Sequence, residues 1–143
     1  MATWGSCDFH ELIELQQRIN ELQRNRRKIM EACAKEIASR TLRMLIKRTP
    51  VGVYPTGSGR TGGNLRRGWT AGTIIDSGDR YEISIINPVE YAAYVEFGHR
   101  TRDHTGWVQG KFFMTKTEIE MNRMAPKIVE RKILKELERC FNG

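Results

Sequence analysis

Apolar residues at Phe9, Leu12, Ile13, Ile19, Leu22, Ile29, Met30, Cys33, Ile37, Thr41, Met44 and Leu45 follow a three-or-four-residue spacing. That period traces one stripe of a helix. No proline or glycine interrupts Asp8 to Arg48, so a single helix about 60 Å long is predicted at 1.5 Å per residue. Asp8 and Glu11 suit the N-cap and N3 positions of a capping box. Such a helix exceeds what a small core needs, so part of it is expected to project or to pack on a neighbouring subunit. The polar run Gln23 to Lys28 reads as a bend, a frayed turn or, more simply, a solvated middle turn. Thr49-Pro50 ends the helix, because a residue before proline avoids the helical region.

Val51 to Gly63 is rich in glycine, proline, serine and threonine and predicts a long loop. Loops of that length are usually functional or disordered. Trp69 to Asp76 predicts a strand. Tyr81 to Ile86 alternates as its partner in a hairpin, across the turn Ser77-Gly78-Asp79. Val89 to Phe97 fits a short helix or a strand. Glu90, Ala92 and Ala93 favour the helix, with Gly98 as its C-cap. A polar loop follows from His99 to Gly110, and Trp107 to Met114 adds a further strand. Thr115 and Glu118 form a second capping box opening a C-terminal helix marked by Ile119, Asn122, Met124, Ile128, Ile133, Leu134 and Leu137. Pro126 predicts a kink or break near Ala125.

The expectation is one α+β domain over residues 1–143. A long helix (8–48) and a C-terminal helix (115–141) pack on a small antiparallel sheet with a short helix (69–114), and a flexible glycine-rich loop (49–68) joins them.

The net charge of +7 attracts the chain to polyanions or to acidic protein surfaces. Cys7, Cys33 and Cys140 show no disulfide spacing, and no leader or membrane-spanning run is apparent. Manufacture and use in a reducing cytoplasm are expected.

Candidate chemistry thins out on inspection. Gly57-Ser58-Gly59-Arg60-Thr61-Gly62 matches G-x-G-x-x-G, but no βαβ unit surrounds it and Gly63-Asn64 replaces the P-loop lysine. Cys7 with His10, and His99 with His104, supply at most two ligands each where a metal site needs four. No nucleophile sits beside a base, and Asp76, Asp79 and Asp103 are isolated. No cofactor is expected, and the chain reads as non-enzymatic.

Two segments remain. The first, Thr61 to Thr70, carries Asn64, Leu65, Arg66, Arg67 and Trp69 behind Arg60. Its arginines could meet nucleic-acid phosphates, with Trp69 stacking on a base, or could meet carboxylates on a partner while Trp69 anchors the core. The second, Tyr91 to Arg102, sets Tyr91, Tyr94, Glu96, Phe97, Gly98, His99 and Arg100 together. Aromatics beside arginines are typical of interface hot spots and also of ordinary core packing.

Thr49-Pro50-Val51, the glycine loop, Asn64-Leu65-Arg66-Arg67-Gly68-Trp69 and Tyr91-Ala92-Ala93-Tyr94-Val95-Glu96-Phe97-Gly98-His99-Arg100 together resemble the HK97 gp10-like proteins. These are described as neck, head–tail joining or tail-completion components of tailed phages. The resemblance runs from about Ile37 to the C-terminal helix. It departs where Gly52 to Gly59 lengthen the loop, where Lys111-Phe112-Phe113-Met114 replaces a Pro-Phe-Leu-x-Pro-Ala-like run, and where the helix before Arg27 is longer than in the family. It implies a virion protein, assembled in the host cytoplasm. Its subunits would form a ring, six-fold as in such tails, that closes the top of the tail of a phage or phage-tail-like particle. The implied partners are copies of itself, the tail tube, a tail terminator or the head–tail connector, with contact to genome DNA also open. A basic nucleic-acid-binding module is the alternative.

Overall fold

A computed structural model describes residues 8–142; Cys7, and with it the Cys7–His10 pair, lies outside the described residues. Helix α1 (His10–Arg48) runs unbroken for 39 residues. The capping box does not form. Asp8 Oδ1 accepts the His10 amide at 2.9 Å, and no side chain caps the helix from Phe9, the residue preceding it. Aspartate competes for its own nearest backbone amides, and here that short-range turn wins.

Helix α4 (Phe113–Asn142) returns antiparallel to α1. The pairing is fixed by side chains along its whole length. Arg48 Nη1 meets Thr117 Oγ1 at 3.3 Å, Lys132 meets Glu36 at 2.8 Å, Arg139 meets Glu21 at 3.4 Å, and Arg18 Nη1 donates to the Phe141 carbonyl at 2.6 Å. The Lys132 ammonium, with Arg40 beside it, holds the Glu36 carboxyl below its ordinary range. Cys33, Ala38, Met121, Ile128 and Cys140 are buried along this helical hairpin. Burial raises both thiols above their usual value.

The break expected near Ala125 does not occur, and α4 continues through Pro126. Its second capping box is absent too. The helix begins two residues earlier than Thr115, and a carboxylate from elsewhere serves its first amides, as described below.

Strands β1 (Thr70–Asp76) and β2 (Tyr81–Ile86) pair antiparallel, from Thr70 opposite Ile86 to Asp76 opposite Tyr81. One extra residue is accommodated between Ala71 and Ile74, a bulge at Gly72-Thr73. The alternation read in β2 holds: Tyr81, Ile83 and Ile85 turn toward the helices while Glu82, Ser84 and Ile86 face solvent. The polar run on α1 is neither bent nor merely solvated. Arg26 Nη2 donates to the Gly78 carbonyl at 2.9 Å and Arg27 pairs with Asp76 at 3.2 Å, tying the hairpin tip to the helix.

The flexible loop expected over residues 49–68 is interrupted by helix α2 (Asn64–Arg67). The short helix expected from Val89 is α3 (Ala92–Phe97). The polar loop after it is a second, separate hairpin, β3 (Gly98–Arg100) with β4 (Trp107–Gln109). Gly98 therefore opens a strand as well as ending a helix. The longer strand expected to Met114 stops at Gln109.

One cluster of Leu45, Leu65, Trp69 and Phe113 knits α1, α2 and α4 together, with Ile85, Val89, Ala92 and Val95 packed against it. Trp69 meets Phe113 edge to face with centroids 6.1 Å apart, the arrangement aromatic quadrupoles favour.

Candidate functional site

The two segments singled out in the sequence meet at one cleft of about 640 Å³. Pro50 to Gly52 and Arg60 to Leu65 form one wall, and Tyr91, just before α3, and Val95 of α3 form the other, with Lys111 at the edge. Glycine makes this wall possible. A Cβ on Gly62 would strike the Gly52 carbonyl oxygen and lie 2.9 Å from Val51 Cγ1. Gly63 has φ +92°, which glycine adopts without strain, and it precedes the first turn of α2.

Thr49, buried at the end of α1, organises the base of this region. Its hydroxyl donates to the Leu45 carbonyl and accepts the Trp69 Nε1–H at 2.7 Å. Its carbonyl accepts Arg66 through Nε at 3.2 Å and Nη2 at 2.8 Å. Asn87 Nδ2 donates to the Leu65 carbonyl at 2.7 Å, fixing α2 from the other side.

These contacts separate the thirteen expected interface residues into two groups. Leu65, Trp69, Glu96 and Gly98 are buried, and Arg66 is spent on the Thr49 carbonyl. Within the chain these five are engaged inward, with Leu65 also lining the cleft. Trp69 is therefore not the base-stacking platform the sequence allowed. The outward group is Arg60, Asn64, Arg67, Tyr91, Tyr94, Phe97, His99 and Arg100. Arg60 lies over the Tyr54 ring at 6.0 Å, and Arg67 Nη1 donates to the Gly62 carbonyl at 3.3 Å, keeping both cations at the cleft. Tyr94 and His99 stack edge to face at 6.1 Å. Phe97 and Trp107 stand about 60% exposed beside them, at 61% and 59%.

Sequence reasoning missed Thr49, Tyr54, Asn87 and Lys111. Tyr54 carried a signal, as the one aromatic in the glycine loop beside Arg60. Lys111 carried none beyond its departure from a family pattern.

The buried Glu96 carboxylate points at the start of α4. It accepts Met114 N–H at 2.9 Å, Thr115 N–H at 2.8 Å and the Thr115 hydroxyl at 2.6 Å. The Glu96 backbone carbonyl accepts Phe112 N–H at 3.1 Å, holding Phe112 at φ +50°. Among the described residues no group of three or more His, Cys, Asp or Glu converges on one point, and no helix is long and apolar enough to cross a membrane.

By architecture this is an α+β protein dominated by a helical hairpin. By sequence, the profile of the family described as "Bacteriophage HK97-gp10, putative tail-component" matches residues 13–98. The chain belongs to that family, and its role is that of a structural component of the phage tail, located in the virion. The match reaches further up α1 than the Ile37 limit expected from motifs, and it ends at Gly98, before the C-terminal helix. No curated protein and no solved structure matches the chain.

Proposed function

We propose that this chain is a ring-forming tail-completion or neck subunit, closing the top of the tail and joining it to the head or connector. One observation carries the reading. Arg18 of α1 meets Phe141 at the end of α4, so the first turns of α1 extend about 12 Å past their partner helix at 1.5 Å per residue. Phe9, Leu12, Ile13 and Leu15 at this end are 42–59% exposed, and Ile19 just beyond Arg18 is 41% exposed. They continue the stripe that, lower down, buries Cys33, Ala38 and Leu45. An apolar face that runs off the end of its own partner is a surface for another protein.

In this reading the overhang seats on a different apolar patch of the next copy, such as that around Ile133 and Leu134, which makes the contact head-to-tail. Head-to-tail contacts that close generate rings. Six copies, the tail tube, a terminator and the connector are the partners this reading assigns, with assembly in the host cytoplasm. The alternative of a nucleic-acid-binding module loses Arg66 and Trp69, both engaged internally. Native mass spectrometry of the purified chain, with imaging of virions, tests the proposal. A ring mass and density at the head-proximal end of the tail are expected. A strict monomer absent from particles refutes it.

A further inference from the structure

We propose that the cleft between the glycine loop and α3 binds an extended, carboxylate-rich segment of a partner protein. Three cations, Arg60, Arg67 and Lys111, line the cleft, and among the described residues no acidic side chain does. Its remaining lining is apolar, aromatic or glycine, with the neutral polar Thr61 and Asn64 and with Tyr54 and Tyr91 as walls. Charge complementarity therefore selects an anionic ligand, and arginine's fork matches a carboxylate with two parallel hydrogen bonds.

Three further observations favour a peptide over a nucleic acid. Among the described residues, the backbone amides from Val51 to Tyr54 donate no hydrogen bond. Val51, Gly52 and Tyr54 of this loop line the cleft, and main-chain donors without an internal partner are what an extended peptide engages. The tyrosine that would best serve as a base-stacking platform, Tyr54, has Arg60 over its ring. Arg66 is turned inward, so the cations ring a concavity and do not form the continuous stripe that tracks a phosphate backbone.

The assignment rests on the virion-subunit reading only for where such a partner is met. The cleft itself is tested on the isolated chain. The probe is a fluorescein-labelled deca-glutamate peptide followed by anisotropy, compared with a neutral Gly-Ser peptide and a dT decamer. One triple variant carries Arg60→Gln, Arg67→Gln and Lys111→Gln. A charge-matched control carries Arg123→Gln, Lys127→Gln and Arg131→Gln on exposed positions of α4.

The expected result is binding of deca-glutamate that weakens about threefold per cleft cation removed, about 30-fold in the cleft variant, and changes less than about twofold in the control. Absence of binding overturns the proposal, as does equal weakening in both variants. Preference for the dT decamer, lost in the cleft variant, overturns it in favour of nucleic acid. Native mass spectra of the same samples read assembly separately. A chain that forms rings but ignores the peptide refutes the cleft alone, and one that binds the peptide as a monomer supports the cleft and counts against the ring.

Discussion

Glu96 and Thr115 are joined twice: the carboxylate accepts the Thr115 amide at 2.8 Å and its hydroxyl at 2.6 Å. The first amides of a helix have no partner within it and carry the positive end of its dipole. Glu96, 1% exposed, supplies both a charge and two acceptors there from a different helix. Glu96→Ala leaves those buried amides unsatisfied, and a loss of about 3 kcal/mol of folding stability is expected. Glu96→Gln keeps one acceptor and recovers part of that. Urea unfolding followed by circular dichroism measures both. Wild-type midpoints in the alanine variant would mean the cap contributes nothing.

The neighbouring arginines, alike in sequence, separate by environment. Arg66 donates twice to the Thr49 carbonyl, whereas Arg67 is exposed at the cleft with one longer contact to Gly62. Arg66→Ala is expected to cost about 1–2 kcal/mol of stability, and Arg67→Ala within about 0.5 kcal/mol of none. Thermal melts of the pair decide it. Equal shifts would show that the Thr49 contact is not the anchor it is taken to be.

This pair also shows where sequence reading stops. The long helices, the β1–β2 hairpin and the end of α1 at Thr49-Pro50 were legible because each depends on local periodicity or on proline sterics. The Glu96 cap and the Arg66–Thr49 contact were not, because they join residues 19 and 17 apart across the fold. The local signals at Asp8-Glu11 and Thr115-Glu118 suggested capping boxes, but the nearer His10 amide took the Asp8 acceptor and the Glu96 carboxylate took the Thr115 donors. The two signature segments border one cleft, but which of their residues face outward depends on packing that no spacing encodes. The second hairpin was missed because β3 and β4 have three residues each, too short for alternation to register.

Gly98 sits at φ 88°, ψ 174°, a region essentially reserved for glycine. A Cβ there would also collide with the Val108 carbonyl oxygen and lie 2.8 Å from Trp107 Nε1. Gly98→Val is expected to lose soluble folded protein. Gly98→Ala should be milder, destabilised by about 2–4 kcal/mol from backbone strain and displaced β4 contacts. A Gly98→Val variant with an unchanged melting temperature would contradict this geometry.

Asp103 gives a pH signature to the tip of the β3–β4 hairpin. Its carboxylate accepts the Thr101 hydroxyl at 2.5 Å and the Thr105 amide at 3.2 Å, which lowers its pKa from 3.8 to about 2. Because the folded value lies below the unfolded one, the stabilisation is complete above about pH 4 and disappears as pH falls through about 2. The carboxylate is exposed, so the effect is local to the loop. Carboxyl-carbon NMR titration should find a midpoint near 2, moving toward 3.8 in Thr101→Val. A wild-type midpoint already at the ordinary aspartate value disproves the contact.

The overhang of α1 makes the sharpest prediction about assembly. Leu12 and Ile13 are 59% and 52% exposed and lie before the point where α4 ends against Arg18. Substituting them by glutamate removes little buried area within one chain, so the melting temperature of the monomeric fold should change by no more than about 0.5 kcal/mol would produce. In a ring the same positions lose apolar contact and carry two charges into each interface, a penalty of several kcal/mol repeated around the circle, on the order of 2–5 kcal/mol per interface. The Leu12→Glu, Ile13→Glu double variant should therefore fold normally and remain a monomer in native mass spectra at concentrations where the parent chain assembles. Rings formed equally well by the double variant would remove the overhang from the interface. That outcome would take away the observation on which the ring proposal rests.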